Sequence, residues 1–180
     1  MPGIYKKPKT HKVLISKSRI QSRVRQMARM ISGDYRGKDP VLVGVLSGSF
    51  VFMADLLREI SIPAEADFIA VASYDGGTKT AGIVRLTQDL FTNIQGRHVI
   101  LVEDIVDSGL TLSYLLKNLK TRRPASIAVC ALLNKKKRRQ AQVPVKYKGF
   151  NIPDKFVVGY GLDHKQRYRN LPYVSWIEEE

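Results

Sequence analysis

Val99-Ile100-Leu101-Val102-Glu103-Asp104-Ile105-Val106-Asp107-Ser108-Gly109-Leu110-Thr111 is the stretch whose reading decides the fold class. An uninterrupted run of β-forming apolar residues is the signature of a strand covered on both faces. The spacing predicts a strand over His98 to Val102, ending in Glu103 and Asp104. A small-residue turn at Asp107-Ser108-Gly109 follows, and Leu110 to Lys120 then has the length and composition of a helix.

The same grammar extends outward in both directions. Val41 to Leu46 is a second continuously apolar run, followed by Ser47-Gly48-Ser49 and by helical periodicity from Phe50 to Ile60. Ser126 to Leu133 reads as the next strand, Ala66 to Tyr74 as another, and Ile83 to Leu86 as a short one. Upstream, Ile20, Val24, Met27 and Ile31 recur at helical spacing after Ser16 and Ser18, which supply a cap, and Gly33 supplies a stop. Strands alternating with helices predict an α/β fold with a central parallel sheet flanked by helices. Ligands bind such sheets beyond the carboxyl ends of the strands. Those ends are Ser47 to Ser49, Glu103 to Thr111, Asn134 to Lys135, and Asp163.

The tail breaks the alternation. Val143 to Gly149, Phe156 to Gly161 and Tyr173 to Ile177 are short extended segments separated by prolines, and are expected to form a small hood with the N-terminal arm. The organisation expected is one domain, 1–180, with a core over about 34–140 and a hood from about 1–15 and 141–180. Between Asp75 and Gly82, three glycines permit the backbone mobility of a lid, with Ser73 and Tyr74 at its edge.

Composition narrows the classes. The chain has 180 residues, long enough to bury a substantial core. Its apolar runs are far shorter than the roughly 20 residues of a membrane span. No apolar segment behind the N-terminal lysines resembles a secretory signal, and Cys130 is the only cysteine, so a cytoplasmic, reducing setting is expected. The net charge of +14 implies attraction to polyanions, either nucleic acid or phosphorylated small molecules. His11, His98 and His164 have no partners at zinc-ligand spacing. There is no Walker loop, Rossmann glycine fingerprint, HExxH helix or CxxC pair.

Chemistry concentrates in the opening segment. Amides at a helix N-terminus, a glycine allowing close approach and the hydroxyls of Ser108 and Thr111 together make a phosphate cradle. Carboxylates beside a phosphate repel it, so Glu103, Asp104 and Asp107 face sugar hydroxyls or a metal ion on the same ligand. The competing reading has them capping the helix and favouring its dipole.

This segment resembles the phosphoribosyl pyrophosphate signature of type I phosphoribosyltransferases, and its Glu103-Asp104 with Asp107-Ser108-Gly109 resembles the hypoxanthine-guanine branch. Val45-Leu46-Ser47-Gly48-Ser49, Ser73-Tyr74 and Pro153-Asp154-Lys155-Phe156-Val157-Val158-Gly159-Tyr160 match that branch in the same order. The resemblance implies a purine salvage enzyme. It would transfer the 5-phosphoribosyl group from phosphoribosyl pyrophosphate to hypoxanthine and/or guanine, giving IMP or GMP and pyrophosphate.

The implied roles follow position by position. Glu103 and Asp104 bind the ribose hydroxyls, directly or through Mg2+. Asp107, Ser108, Gly109, Leu110 and Thr111 hold the 5-phosphate, and Asp107 is also the general base for the purine nitrogen. Leu46, Ser47 and Gly48 form the pyrophosphate loop, where the family often has a non-proline cis peptide, and Arg169 contacts pyrophosphate. Ser47 stands where some members carry lysine, which removes one cation from that loop.

Lys135 donates to the purine 6-oxygen, a contact mismatched to the amino group of adenine. Phe156 stacks on the purine and the Val157 backbone binds its edge. Asp163 belongs to the purine pocket and binds a second Mg2+. Lys136, Lys137, Arg138 and Arg139 are expected to be a solvated loop. The family implies a homodimer or homotetramer. Two alternatives remain at this level: an RNA-binding regulator on the same fold, which the charge suits, and an enzyme preferring xanthine.

Overall fold

The computed structural model describes residues 12–74 and 83–177, so residues 75–82 of the expected lid lie outside the described residues. In chain order the elements are β1 (Lys12–Ile15), α1 (Lys17–Asp34), β2 (Val41–Leu46), α2 (Phe50–Glu59), β3 (Glu65–Tyr74) and β4 (Ile83–Gln88). They continue as β5 (His98–Val106), α3 (Leu110–Lys120), β6 (Ser126–Asn134), β7 (Tyr147–Asn151), β8 (Phe156–Val158) and β9 (Val174–Ile177). Ser73 and Tyr74 are the last two residues of β3.

Six strands form the large sheet in the order β4-β3-β2-β5-β6-β7. All neighbouring pairs from β3 to β7 are parallel, while β4 returns antiparallel on the edge beside β3. The fold is therefore the α/β class read from the sequence, with one antiparallel edge strand. A direct β3-to-β4 return does not have to pass over the sheet face, which a parallel crossover would require.

Alternation along the strands splits the core in two. Leu42, Ile100 and Val102 face α1 and α2 in one cluster with Ile20, Val24, Met27, Phe52 and Leu56. Val41, Val43, Val99 and Leu101 face the other side, against Leu112, Leu115 and Leu119 of α3. Strands covered on both faces have no polar face to show, and for this reason β2 and the Val99 to Val102 run of β5 are continuously apolar.

Helix α1 starts where its capping residue predicts. Ser16 has extended backbone and its Oγ accepts from the Arg19 amide at 3.4 Å. The helix runs one residue past Gly33 to Asp34, whose carboxylate accepts from the Tyr147 hydroxyl at 2.7 Å and pairs with Lys146 at 2.8 Å. These contacts clasp the end of α1 to the start of β7.

Two boundaries differ from expectation. β5 does not stop at the acids: Glu103 pairs with Ala131, Ile105 with Leu133 and Val106 with Asn134, so strand geometry persists to Val106. β7 was expected in the hood but lies in the large sheet, in parallel register with β6 from Cys130↔Tyr147 to Asn134↔Asn151. As an edge strand it has one neighbour, and of its side chains only Tyr147 is fully buried, so its pattern lacks the apolar continuity of β2.

The hood itself is a three-stranded sheet, β1-β9-β8. Lys12 and Val157 flank Trp176 from either side. Val157, Tyr160 and Val174 bury into the cluster formed with α1 and α2, which seats the hood beside the carboxyl ends of β2 and β5. Among the described residues no helix is long and apolar enough to cross a membrane.

Candidate active site

The strand ends and the hood enclose a cavity of about 760 Å³. Its wall includes nine of the residues singled out from the sequence: Ser47, Gly48, Asp104, Asp107, Lys135, Phe156, Val157, Asp163 and Arg169. Leu46, Glu103, Ser108, Gly109, Leu110 and Thr111 are not on that wall.

The β2-α2 turn is the tightest part. The Leu46–Ser47 peptide is cis. A Cβ on Gly48 would overlap Oδ2 of Asp104, so no side chain fits between this turn and the end of β5. Ser49 is fully buried, and its hydroxyl donates to the Val45 carbonyl at 2.6 Å, closing the turn over the end of β2.

Glu103 and Asp104 point to opposite sides of β5, because successive strand residues alternate. Asp104 faces the cavity. Its Oδ1 accepts from the Ile105 amide at 2.7 Å. Burial raises its pKa to about 6, against the opposing pull of backbone amides and Arg169, with Asp163 adding a like charge. Glu103 lies behind, 9% exposed, with Oε2 buried and lacking a hydrogen-bond partner. Burial, then repulsion from Asp104, pushes its carboxyl well above the usual range.

The turn into α3 is built around Gly109. It has φ 81, and a Cβ there would overlap the Ala141 carbonyl oxygen. Amides of Gln140 and Ala141 donate to the Ser108 carbonyl at 2.9 and 3.0 Å, so the 139–141 segment backs this turn. Ser108 Oγ accepts from the Leu110 amide at 3.3 Å. The turn thus follows directly on Asp107, its one residue on the cavity wall.

Lys135 extends from the end of β6 and is 6% exposed. Its ammonium lies 3.4 Å from Oδ2 of Asp107, while Oδ1 of Asp107 has no hydrogen-bond partner. On the hood side, Arg169 pairs with Asp163 at 2.9 Å and donates to the Gly161 carbonyl at 2.7 Å. The cavity wall therefore carries the cations Lys135, Arg138, Lys155 and Arg169 together with the acids Asp104, Asp107, Asp154 and Asp163.

These observations also test whether the residues suit a divalent cation. Asp163 adds a like charge at Asp104, Asp104 in turn repels Glu103, and Glu103 keeps an unpartnered buried oxygen. A hard cation offsets such repulsion. No group of three or more ligating side chains among the described residues closes around one ion. Asp104 and Asp163, both on the cavity wall, suit Mg2+, which is held by one or two carboxylates and completed by water and substrate phosphates.

The chain matches the phosphoribosyl transferase domain over residues 16–165. It is 48% identical to the hypoxanthine-guanine phosphoribosyltransferase of Mycobacterium avium, covering 92% of this chain and 85% of that one. It is 49% identical to the hypoxanthine phosphoribosyltransferase of Salmonella typhimurium, covering 93% and 96%. The chain belongs to the hypoxanthine-guanine phosphoribosyltransferase family. The crystal structure of such an enzyme from Bacillus anthracis superposes with a TM-score of 0.90 at 43% identity, covering 94% of this chain and all of that one. The Trypanosoma cruzi hypoxanthine phosphoribosyltransferase gives 0.90 at 39%, covering 97% and 95%.

Within this phosphoribosyltransferase site, sequence reasoning missed several wall residues. Asp154 and Lys155 belong to the Pro153 to Tyr160 motif, which implies no role for them, and Trp176 lies in the tail. Lys155 sits over the Trp176 ring, 3.5 Å from its centre. The expected solvated loop is corrected at Arg139, which is half-buried, while Arg138 stays exposed and yet has an acidic partner. Arg138 pairs with Asp154 at 2.9 Å, and Arg139 donates to Asn134 Oδ1 at 2.6 Å and to the Lys135 carbonyl at 3.0 Å. Arg139 thereby braces the strand end that carries Lys135. Lys136 and Lys137 remain exposed.

Proposed function

We propose that the chain transfers the 5-phosphoribosyl group from phosphoribosyl pyrophosphate to hypoxanthine and/or guanine, forming IMP or GMP and releasing pyrophosphate. The observation that carries this reading is the single cavity shared by Asp107, Lys135 and Phe156 with the Ser47-Gly48 turn and Arg169. A base-binding set and a pyrophosphate-binding set must share one space for a ring nitrogen to reach the sugar carbon.

In this reading Lys135 donates to the purine 6-oxygen. Phe156 stacks on the ring, and the Val157 backbone binds its edge beside Asp163. Asp107 accepts the proton released as the purine nitrogen bonds to carbon 1 of the ribose, while the bond to pyrophosphate breaks. The amides and hydroxyls of Asp107 to Thr111 receive the 5-phosphate. Leu46, Ser47, Gly48 and Arg169 receive pyrophosphate. Ser73 and Tyr74, with the segment that follows, keep water from the activated sugar.

Of the three acids that the sequence points to for Mg2+, Asp104 and Asp163 line the cavity and would hold it, while Glu103 lies behind β5; the ion would neutralise charge on pyrophosphate and orient the sugar hydroxyls. The chain works in the cytoplasm as a homodimer or homotetramer. Its lone buried cysteine and the exposed Phe50 and Phe91 side chains support those two assignments respectively.

The test is nucleotide formation and pyrophosphate release, measured with phosphoribosyl pyrophosphate, Mg2+ and each of hypoxanthine, guanine, xanthine and adenine. Turnover with hypoxanthine or guanine and none with adenine is expected. Turnover with adenine would overturn the role of Lys135. Tight RNA binding with no turnover on any base would replace the enzyme reading altogether.

A further inference from the structure

Three layers stack at the pyrophosphate end of the cavity. Asp104 Oδ2 packs against Gly48, leaving no room for a Cβ, and the Gly48 carbonyl oxygen packs against Gly161, where a Cβ would again overlap it. Gly161 is held from beyond, since its amide donates to the Arg169 carbonyl at 3.0 Å and its carbonyl accepts from Arg169 Nη1 at 2.7 Å. The hood thus presses directly on the β2-α2 turn. Close packing of this kind transmits small displacements rather than absorbing them.

The corner that delivers Gly161 is unusual. Gly159, Tyr160 and Gly161 all have positive φ, at 97, 53 and 101. Two of the three are glycines, which adopt such backbone freely. Tyr160 is not. An L side chain crowds the following carbonyl in the left-handed region, so something must retain the tyrosine there.

Its side chain supplies the anchor. Tyr160 is 4% exposed, and its hydroxyl donates to Asp55 Oδ2 at 2.6 Å. Burial, then the bond to Asp55, pushes the phenol pKa upward, which keeps the donor protonated. Asp55 belongs to α2, the helix that opens directly from the Ser47-Gly48-Ser49 turn, and its other oxygen contacts Arg58. The hood corner is therefore tied to the same helix that carries the turn on which it presses.

We infer that Tyr160 and Asp55 are a positioning pair: their hydrogen bond sets Gly161 against the Gly48 carbonyl and so holds the Leu46-Ser47-Gly48 turn in register for the pyrophosphate group. The inference rests on the reading of that turn as the pyrophosphate loop. Phe156 and Val157 are held separately, by the ladder between β8 and β9. Loosening the pair acts on the pyrophosphate side and leaves the Phe156 and Val157 contacts to the base in place.

The test uses the full chain and four variants, Tyr160→Phe, Asp55→Ala, the double variant and Asp55→Asn. Steady-state constants and the calorimetric affinity for pyrophosphate with Mg2+ are measured for each. Tyr160→Phe keeps the ring and removes only the hydrogen bond. It is expected to raise KM for phosphoribosyl pyrophosphate and Kd for pyrophosphate about tenfold, the scale of one bond to a charged acceptor. KM for hypoxanthine should stay within about twofold.

Asp55→Ala should act alike, and the double variant should be no worse than the poorer single one. Asp55→Asn retains a carbonyl acceptor and should recover most of the loss. A lowered melting temperature with unchanged constants, or parallel losses on both substrates, would overturn the inference. Failure of the unmodified chain to bind pyrophosphate or turn over would instead remove the loop reading beneath it, and the inference with it.

Discussion

Asp107 and Lys135 lie 3.4 Å apart, close enough that each shapes what the other can do. Lys135 is nearly buried and Asp107 is 38% exposed at its side chain, so the ammonium depends on this carboxylate more than the reverse. Replacing Asp107 by Asn keeps its size and removes its capacity to take a proton. Turnover should fall by ~10²-fold or more with substrate affinities largely retained, the usual span for a lost general base. Single-turnover kinetics beside equilibrium binding separate these effects, and unchanged turnover would refute the role. Lys135→Ala should weaken hypoxanthine binding by about tenfold or more, the scale of a lost charged hydrogen bond, and phosphoribosyl pyrophosphate binding far less. Equal losses on the two substrates, read by calorimetry, would move the 6-oxygen contact elsewhere.

At the scale of elements, the clasp between α1 and β7 makes a pH-dependent contribution. Tyr147 is 1% exposed, and burial, then its bond to Asp34, holds the phenol pKa above its ordinary value. A raised folded pKa means that this contribution is fully present below the unfolded value, about 10 for tyrosine, and is lost as pH rises beyond it. Asp34 works in the opposite direction. Hydrogen bonds from Lys146 and Tyr147 lower its pKa, so its contribution is present above about 4 and is lost as pH falls. Urea unfolding at pH 8 and pH 10.5 should therefore show a smaller alkaline loss in Tyr147→Phe than in the unmodified chain. Equal losses would show that the phenol proton is not linked to folding. Most of these elements were legible in the sequence because both-face burial leaves an apolar run and helical packing leaves a 3.6-residue period. β7 was not, since Tyr147-Lys148-Gly149-Phe150-Asn151 is an edge strand whose membership of the sheet depends on β6 and α1 rather than on its own pattern.

For the molecule as a whole, Cys130 reports how tightly the sheet is sealed. It is fully buried on β6, and burial pushes its thiol pKa upward, away from the reactive thiolate. A thiol reagent should modify less than a tenth of the native chain over an hour at pH 8, and one equivalent rapidly in denaturant. Fast native labelling would mean that the β6-β7 edge opens readily.

The sequence by itself determined the succession of strands and helices, the acidic turn between β5 and α3, and the family, because local periodicity and short motifs are written in neighbouring residues. It also brought nine wall residues of the cavity into view. Only the tertiary structure decided that Asp104 faces the cavity while Glu103 lies behind, that Arg138 and Arg139 are spent on Asp154, Asn134 and Lys135, and that Trp176 joins the site. The seating of Tyr160 on Asp55, 105 residues apart, belongs to the same class. The physical reason is common to all of them. Side-chain partnerships across a sheet or between hood and helix are set by which segments pack together, and no local pattern of residues encodes that choice.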